Sequence, residues 1–112
     1  LQPDEVVATL AQFDTTTPEG VRNQAIAELL YSSGLRVSEL TSLTLNSVDV
    51  YNQTVRVLGK GRKERIIPVG SKALSALKHW IALRSQWVTS ESANVLFLTP
   101  KGTIMTSSHV YR

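Results

Sequence analysis

The side chains best suited to chemistry are cations placed beside glycines. Arg56, Lys60, Arg62, Lys63 and Arg65 crowd into one short stretch, offset only by Glu64. Cations on a protruding hairpin can grip phosphate oxygens whatever the base sequence. Lysines also guard exposed strand edges, and on charge alone the two readings weigh equally. Gly59 and Gly61 tilt the balance toward phosphate contact, because they leave Lys60 on an uncluttered loop. The stretch is not a phosphate-cradling P-loop, since no Gly-Lys-Ser/Thr opens a helix after a strand. A second feature is the run Gly34-Leu35-Arg36-Val37-Ser38-Glu39-Leu40. Arg36 and Glu39 stand three apart and so share a helical face. A surface ion pair is the default reading and would contribute little. Yet Arg36 sits between Leu35 and Val37 directly after a glycine. A guanidinium beside apolar neighbours needs partners, and its planar fork suits a phosphate.

Regular elements must position these residues. Residues 2–13 read as a helix, with Pro3 at its start, Asp4 and Glu5 at its positive end, and Val6, Val7, Leu10 and Phe13 as its stripe. Thr17 followed by Pro18 marks the start of a second helix. Val21, Ala25, Leu29 and Leu30 form its buried face, and Gly34 is a left-handed stop. A short helix over 35–43 turns Val37, Leu40 and Leu43 inward. The pattern then changes to β-branched runs at 48–50 and 54–58, with Asn52-Gln53 as the turn between them. Residues 59–63 form a hairpin tip and 64–69 the returning strand, with Pro68 at an edge. Ser71 reads as the cap of a long helix to residue 87, with Leu74, Leu77, His79, Trp80, Ile81 and Leu83 available for packing. A polar loop at 89–94 precedes the apolar segment 95–98 and a turn at Pro100-Lys101-Gly102. Thr106 reads as the cap of a further helix. The expected fold class is α+β, mainly helical, with one three-stranded antiparallel sheet.

Composition bounds the possibilities. The chain has 112 residues, 42% hydrophobic and 19% charged, which is the usage of one globular domain. Its net charge of +3 is unevenly spread. Residues 1–55 hold two basic and seven acidic side chains, a balance of −5. Residues 56–112 hold ten basic and two acidic ones, a balance of +8. Such a division points one surface at a polyanion. With no cysteine there is no disulfide framework, thiolate zinc site or cysteine nucleophile. His79 has no second histidine at metal-ligand spacing and reads as a packed or surface residue. No apolar run reaches the length of a membrane span and no signal segment opens the chain, so a cytoplasmic location is expected.

Two stretches carry a resemblance. They are Leu29-Leu30-Tyr31-Ser32-Ser33-Gly34-Leu35-Arg36-Val37-Ser38-Glu39-Leu40 and Val57-Leu58-Gly59-Lys60-Gly61-Arg62-Lys63-Glu64-Arg65-Ile66-Ile67-Pro68-Val69. In this order, with Lys60 24 positions after Arg36, they resemble the tyrosine recombinase (phage integrase) family, in particular its Xer branch. Leu96-Phe97-Leu98-Thr99, Gly102 and Met105-Thr106 extend the likeness over nearly the whole chain. The resemblance implies that Arg36 is the catalytic arginine that clamps the scissile phosphate. It implies that Glu39 supports that arginine. Lys60 would be the hairpin lysine that protonates the 5′-hydroxyl leaving group. Arg62, Lys63 and Arg65 would contact the DNA backbone. The implied partners are double-stranded DNA at a specific recombination site and further recombinase protomers on that DNA. No metal or other cofactor is implied, because cationic side chains do that work.

The family also uses a tyrosine nucleophile, a second arginine in a histidine-rich box and a further His or Trp. The resemblance places these beyond the 76 residues that follow Arg36. His109-Val110-Tyr111-Arg112 fits an H-x-x-R pattern but comes too early and lacks the Leu-Arg-His surroundings, so it reads as a helical surface turn. Tyr31 and Tyr51 read as packing residues. The expectation is therefore that residues 1–112 form the N-terminal portion of a tyrosine recombinase catalytic domain. A clamp domain and the C-terminal catalytic part are absent, and these residues alone do not cleave DNA. The rival reading is a nucleic-acid-binding module that uses the basic hairpin without catalysis.

Overall fold

The computed structural model describes residues 14–106. The expected helix at 2–13, the H-x-x-R stretch and any helix after Thr106 lie outside the described residues. The first helix, α1, runs Pro18–Tyr31. Thr17 caps it as its sequence predicts: the backbone is extended there, and its hydroxyl accepts a hydrogen bond from the Gly20 amide at 3.1 Å. Gly34 follows the helix at φ +73°, a conformation that favours glycine, and reverses the chain. The next helix, α2, is shorter than expected. It spans Val37–Thr41, because Arg36 is extended and serves as its N-cap, while the Leu43 amide bonds back only three residues to Leu40. Leu40 and Leu43 are buried, but Val37 is only half-buried.

The sheet is the predicted antiparallel meander, in the order β1-β2-β3. Its strands are β1 Val48–Asp49, β2 Thr54–Leu58 and β3 Glu64–Pro68. Pro68 closes an edge strand, where its missing N–H costs no ladder bond. The β2–β3 register pairs Val55 with Ile67, Arg56 with Ile66, Val57 with Arg65 and Leu58 with Glu64. Alternation along the strands therefore sets Val55, Val57, Arg65 and Ile67 on one face, and Arg56, Leu58, Glu64 and Ile66 on the other. The first face meets the core, where Val55 and Val57 are fully enclosed. The second faces solvent and leaves Ile66 67% exposed.

The third helix, α3, spans Ser71–Arg84. Gly70 is its N-cap and Ser71 its first helical residue, so the expected serine cap is not present. The Leu74 amide bonds the Gly70 carbonyl at 2.9 Å, which closes the first turn one residue earlier than Ser71 would have done. The helix stops before residue 87. The amides of Gln86 and Trp87 bond back only three residues, which tightens the chain and folds Trp87 edge-on against Trp80, with ring centroids 5.4 Å apart. His79 is exposed.

The core lies between α1, α3 and the inner face of the sheet. Val21, Ala25 and Leu29 meet Leu40, Val55, Val57, Leu77 and Trp80 there. The apolar segment 95–98 runs through the same core without forming a strand. It makes only isolated bridges, from Val95 to Thr44 and from Leu98 to Ile104. Side chains satisfy the carbonyls that a neighbouring strand would otherwise bind. Trp80 Nε1 donates to the Leu96 carbonyl at 2.7 Å, and Arg22 Nη1 donates to that of Leu98 at 3.0 Å. Arg84, itself buried, donates to the carbonyls of Ser92, Ala93 and Val95 at 2.7–3.2 Å. The guanidinium of Arg22 also lies over the Trp87 ring, 5.5 Å from its centroid. No described helix is long and apolar enough to cross a membrane.

Candidate nucleic-acid interface

A cleft of about 540 Å³ opens between α2 and the hairpin. Arg36, Ser38, Glu39 and Ser42 line it from the helical side. Arg56, Val57, Gly59 and Glu64 line it from the sheet. The two stretches singled out in the sequence thus meet across one concavity. Arg36 is exposed at the mouth, and Glu39 lies buried behind it.

Glu39 organises the helical side. Its Oε1 accepts from the backbone amide of Arg36 at 2.9 Å, which satisfies one of the donors that a helix N-terminus leaves open. The support given to Arg36 therefore acts on its main chain, fixing the point from which the guanidinium projects. The same Oε1 accepts from Arg65 Nη2 at 2.8 Å. A carboxylate with 6% of its side chain exposed thereby gains a counter-charge from β3, 26 residues later.

The hairpin tip is built from its glycines. The Gly59 amide bonds the Lys63 carbonyl at 2.8 Å, and the Arg62 amide bonds the Gly59 carbonyl at 3.2 Å. Between them the chain makes a 3-10 turn, Lys60–Arg62, in which Gly61 at φ +73° and Arg62 at φ +60° are both left-handed. Gly59 lines the cleft, so Lys60 enters the tip at the cleft's edge. Arg62 and Lys63 are exposed on the tip, outside the cleft lining. Arg65 stands apart from them, turned to the inner face and bound to Glu39. Arg56 on the outer face pairs loosely with Glu64, N to O 3.9 Å, both well exposed.

Ser38 and Ser42 were not visible as site residues in the sequence. Serines beside a cation carry no distinctive spacing, and only the fold brings them to the cleft. The inward position of Arg65 did carry a signal, since it pairs with Val57 once the tip is counted as five residues. Among the described residues no group of His, Cys, Asp and Glu could hold a metal ion.

The chain as a whole is similar to known proteins. A sequence model of the phage integrase family matches residues 1–112. The tyrosine recombinase XerC of Actinobacillus pleuropneumoniae serotype 7 is 47% identical over 98 residues, covering 88% of this chain and 31% of the relative. That of Shewanella sp. (strain W3-18-1) is 50% identical over 93 residues, covering 83% of this chain and 30% of the relative. The chain thus spans about a third of the length of the curated relatives it matches. Among solved structures, the crystal structure of XerA recombinase superposes with a TM-score of 0.77 at 25% identity, over 98% of this chain and 38% of that one. The XerH site-specific recombinase bound to palindromic difH substrate, a post-cleavage complex, superposes with a TM-score of 0.76. At 22% identity over 96% of this chain and 30% of that one, it supports the fold alone.

Proposed function

The chain belongs to the phage integrase family, and from that premise we propose that it serves site-specific DNA recombination, as the N-terminal portion of a tyrosine recombinase catalytic domain. The observation that carries the proposal is the shared cleft, with Arg36 held by Glu39 on one wall and the base of the basic hairpin on the other. A phosphodiester entering there meets a guanidinium whose backbone is already fixed. Arg36 then neutralises the charge that builds on the non-bridging oxygens as the scissile phosphorus is attacked.

The attacking group is a tyrosine hydroxyl supplied from beyond residue 112, together with the second arginine. The bond from phosphorus to the 5′-oxygen breaks, a phosphotyrosyl bond forms, and Lys60 delivers the proton that the leaving oxygen takes up. The phosphotyrosyl link conserves the bond energy, so rejoining needs no nucleotide cofactor. Arg62 and Lys63 hold flanking backbone phosphates, and Arg65, half exposed, adds its charge to the same partner. The partners are double-stranded DNA carrying a recombination site and further recombinase protomers, in the cytoplasm. The relatives named XerC support this reading.

The test uses the protein at the length of its relatives and a nicked recombination-site duplex that traps the cleaved product. The parent forms a covalent adduct. Arg36→Gln and Lys60→Ala bind the duplex but form little adduct. Normal adduct formation by both variants overturns the catalytic assignment and leaves a DNA-binding module.

A further inference from the structure

Arg65 is the hairpin cation that the pleat removes from the outer surface. Its ladder partner is Val57, which is buried, so its Cβ starts on the core side of the sheet. From there the guanidinium reaches Glu39 at 2.8 Å rather than projecting with Arg56 from the solvent face. Glu39 at the same time holds the Arg36 amide through the same oxygen. The other carboxylate oxygen lies under the start of the hairpin, where a Cβ on Gly59 would come 3.9 Å from Oε2. One enclosed carboxylate thus binds the turn that carries Arg36 and the strand that carries Arg65, and lies close to the base of the loop that carries Lys60.

We propose that Arg65 is a positioning residue, whose ion pair with Glu39 sets the spacing between the Arg36 turn and the lysine-bearing hairpin before DNA arrives. Charge burial makes this pair specific. An enclosed carboxylate without its cation is strongly disfavoured, so the hairpin is drawn to the one placement that supplies the guanidinium. Hairpin excursions that break the pair leave Glu39 uncompensated and are suppressed. The use of this strut in catalysis rests on the recombinase reading, whereas the strut itself does not.

The test uses the protein at the length of its relatives, and within residues 1–112 no native cysteine competes for label. Cysteines introduced by Ser38→Cys and Lys63→Cys carry spin labels, and the distance between them is read by pulsed dipolar spectroscopy without DNA. The otherwise unaltered chain gives a single narrow distance. Arg65→Gln and Glu39→Gln each lose it and give a broad spread. The two changes combined broaden it no further than either alone, because they remove one interaction. Arg65→Lys recovers part of the narrow population. A narrow distance in Arg65→Gln overturns the proposal. If circular dichroism shows that Arg65→Gln has unfolded, the double variant, which leaves no unpaired buried charge, replaces it, and a narrow distance there overturns the proposal equally. Duplex binding in unlabelled protein separates the remaining cases. An Arg65→Gln chain that keeps its narrow distance but loses about 0.9 from the slope of log affinity against log salt has lost only a phosphate contact, which overturns the strut. A chain that shows the distance effect but has no affinity for duplex DNA keeps the strut and defeats the recombinase reading.

Discussion

Arg65 stands directly opposite Val57 in the β2–β3 ladder, and that pairing delivers a hairpin cation to the enclosed carboxylate of Glu39. The stability of the cleft follows from it. Glu39→Ala removes the acceptor for both the Arg36 amide and the Arg65 guanidinium. Because Arg65 is 48% exposed and can turn to water, the cost is about 2 kcal/mol rather than that of a fully buried pair. Glu39→Gln retains an acceptor for the Arg36 amide and costs less. Urea unfolding with an unchanged m-value reads both. Equal midpoints for the two variants would refute the shared-acceptor account.

Arg62 carries a left-handed backbone that a side chain other than glycine adopts at a cost. Arg62→Gly relieves it and raises stability by up to about 1 kcal/mol. The same change removes an exposed cation from the tip. The slope of log affinity for duplex DNA against log salt becomes shallower by about 0.9. A more stable chain that binds DNA less well is the signature to look for, with denaturation and salt titration run on the same protein.

Arg84 is buried and spends its donors on main-chain carbonyls. Burial pushes its guanidinium below the usual arginine range, yet it stays charged at every pH of interest. Arg84→Met fills the space but strands those carbonyls, at a cost of about 2–3 kcal/mol. Arg84→Lys restores only part of this, because a single ammonium cannot span the fork. Thermal unfolding monitored by tryptophan fluorescence ranks the three proteins, and a Met variant as stable as the parent would contradict the carbonyl clasp.

Asp49 accepts from the Asn52 amide at 3.0 Å and from its side chain at 2.8 Å. These bonds hold its carboxyl below the ordinary value of 3.8, the backbone bond contributing most. A depressed folded value means that the turn's contribution is complete above the unfolded value and fades as pH falls through the folded one. Asn52→Ala removes the side-chain bond alone, so the titration moves part of the way back toward 3.8. An NMR titration of the Asp49 carboxyl carbon measures it, and an unmoved midpoint would count against the side-chain bond.

What the sequence made legible was local. The Thr17 cap before Pro18 and the three-stranded meander each depend on residues a few positions apart. The stretches around Arg36 and Lys60 were recognisable because each is a continuous string, and the fold brings them to one cleft. The orientation of Arg65 was harder, since it depends on register, and a tip shorter by one residue would turn it outward. The role of Arg84 left no mark at all. Its partners are backbone carbonyls, which every residue possesses, so no side-chain pattern announces them. Segment 95–98 could be read only as apolar for the same reason: such a run looks alike whether a strand or a set of side chains satisfies its carbonyls.

That segment has a consequence for how the chain is made. Leu98 offers its carbonyl to Arg22, 76 residues earlier, and the carbonyls of Val95 and Leu96 go to Arg84 and Trp80. Synthesis releases α1 before the sheet and α3, yet the group that Arg22 binds emerges 76 residues later. A nascent chain can form α1, the sheet and α3 while the ribosome is still adding residues, but it cannot close their common interior. Until residue 98 clears the exit tunnel, Trp80 has an open side and Arg22 has no carbonyl to hold. Closure of this interior is therefore timed by segment 95–98, and chains that stall before it present the tryptophan surface to chaperones and proteases.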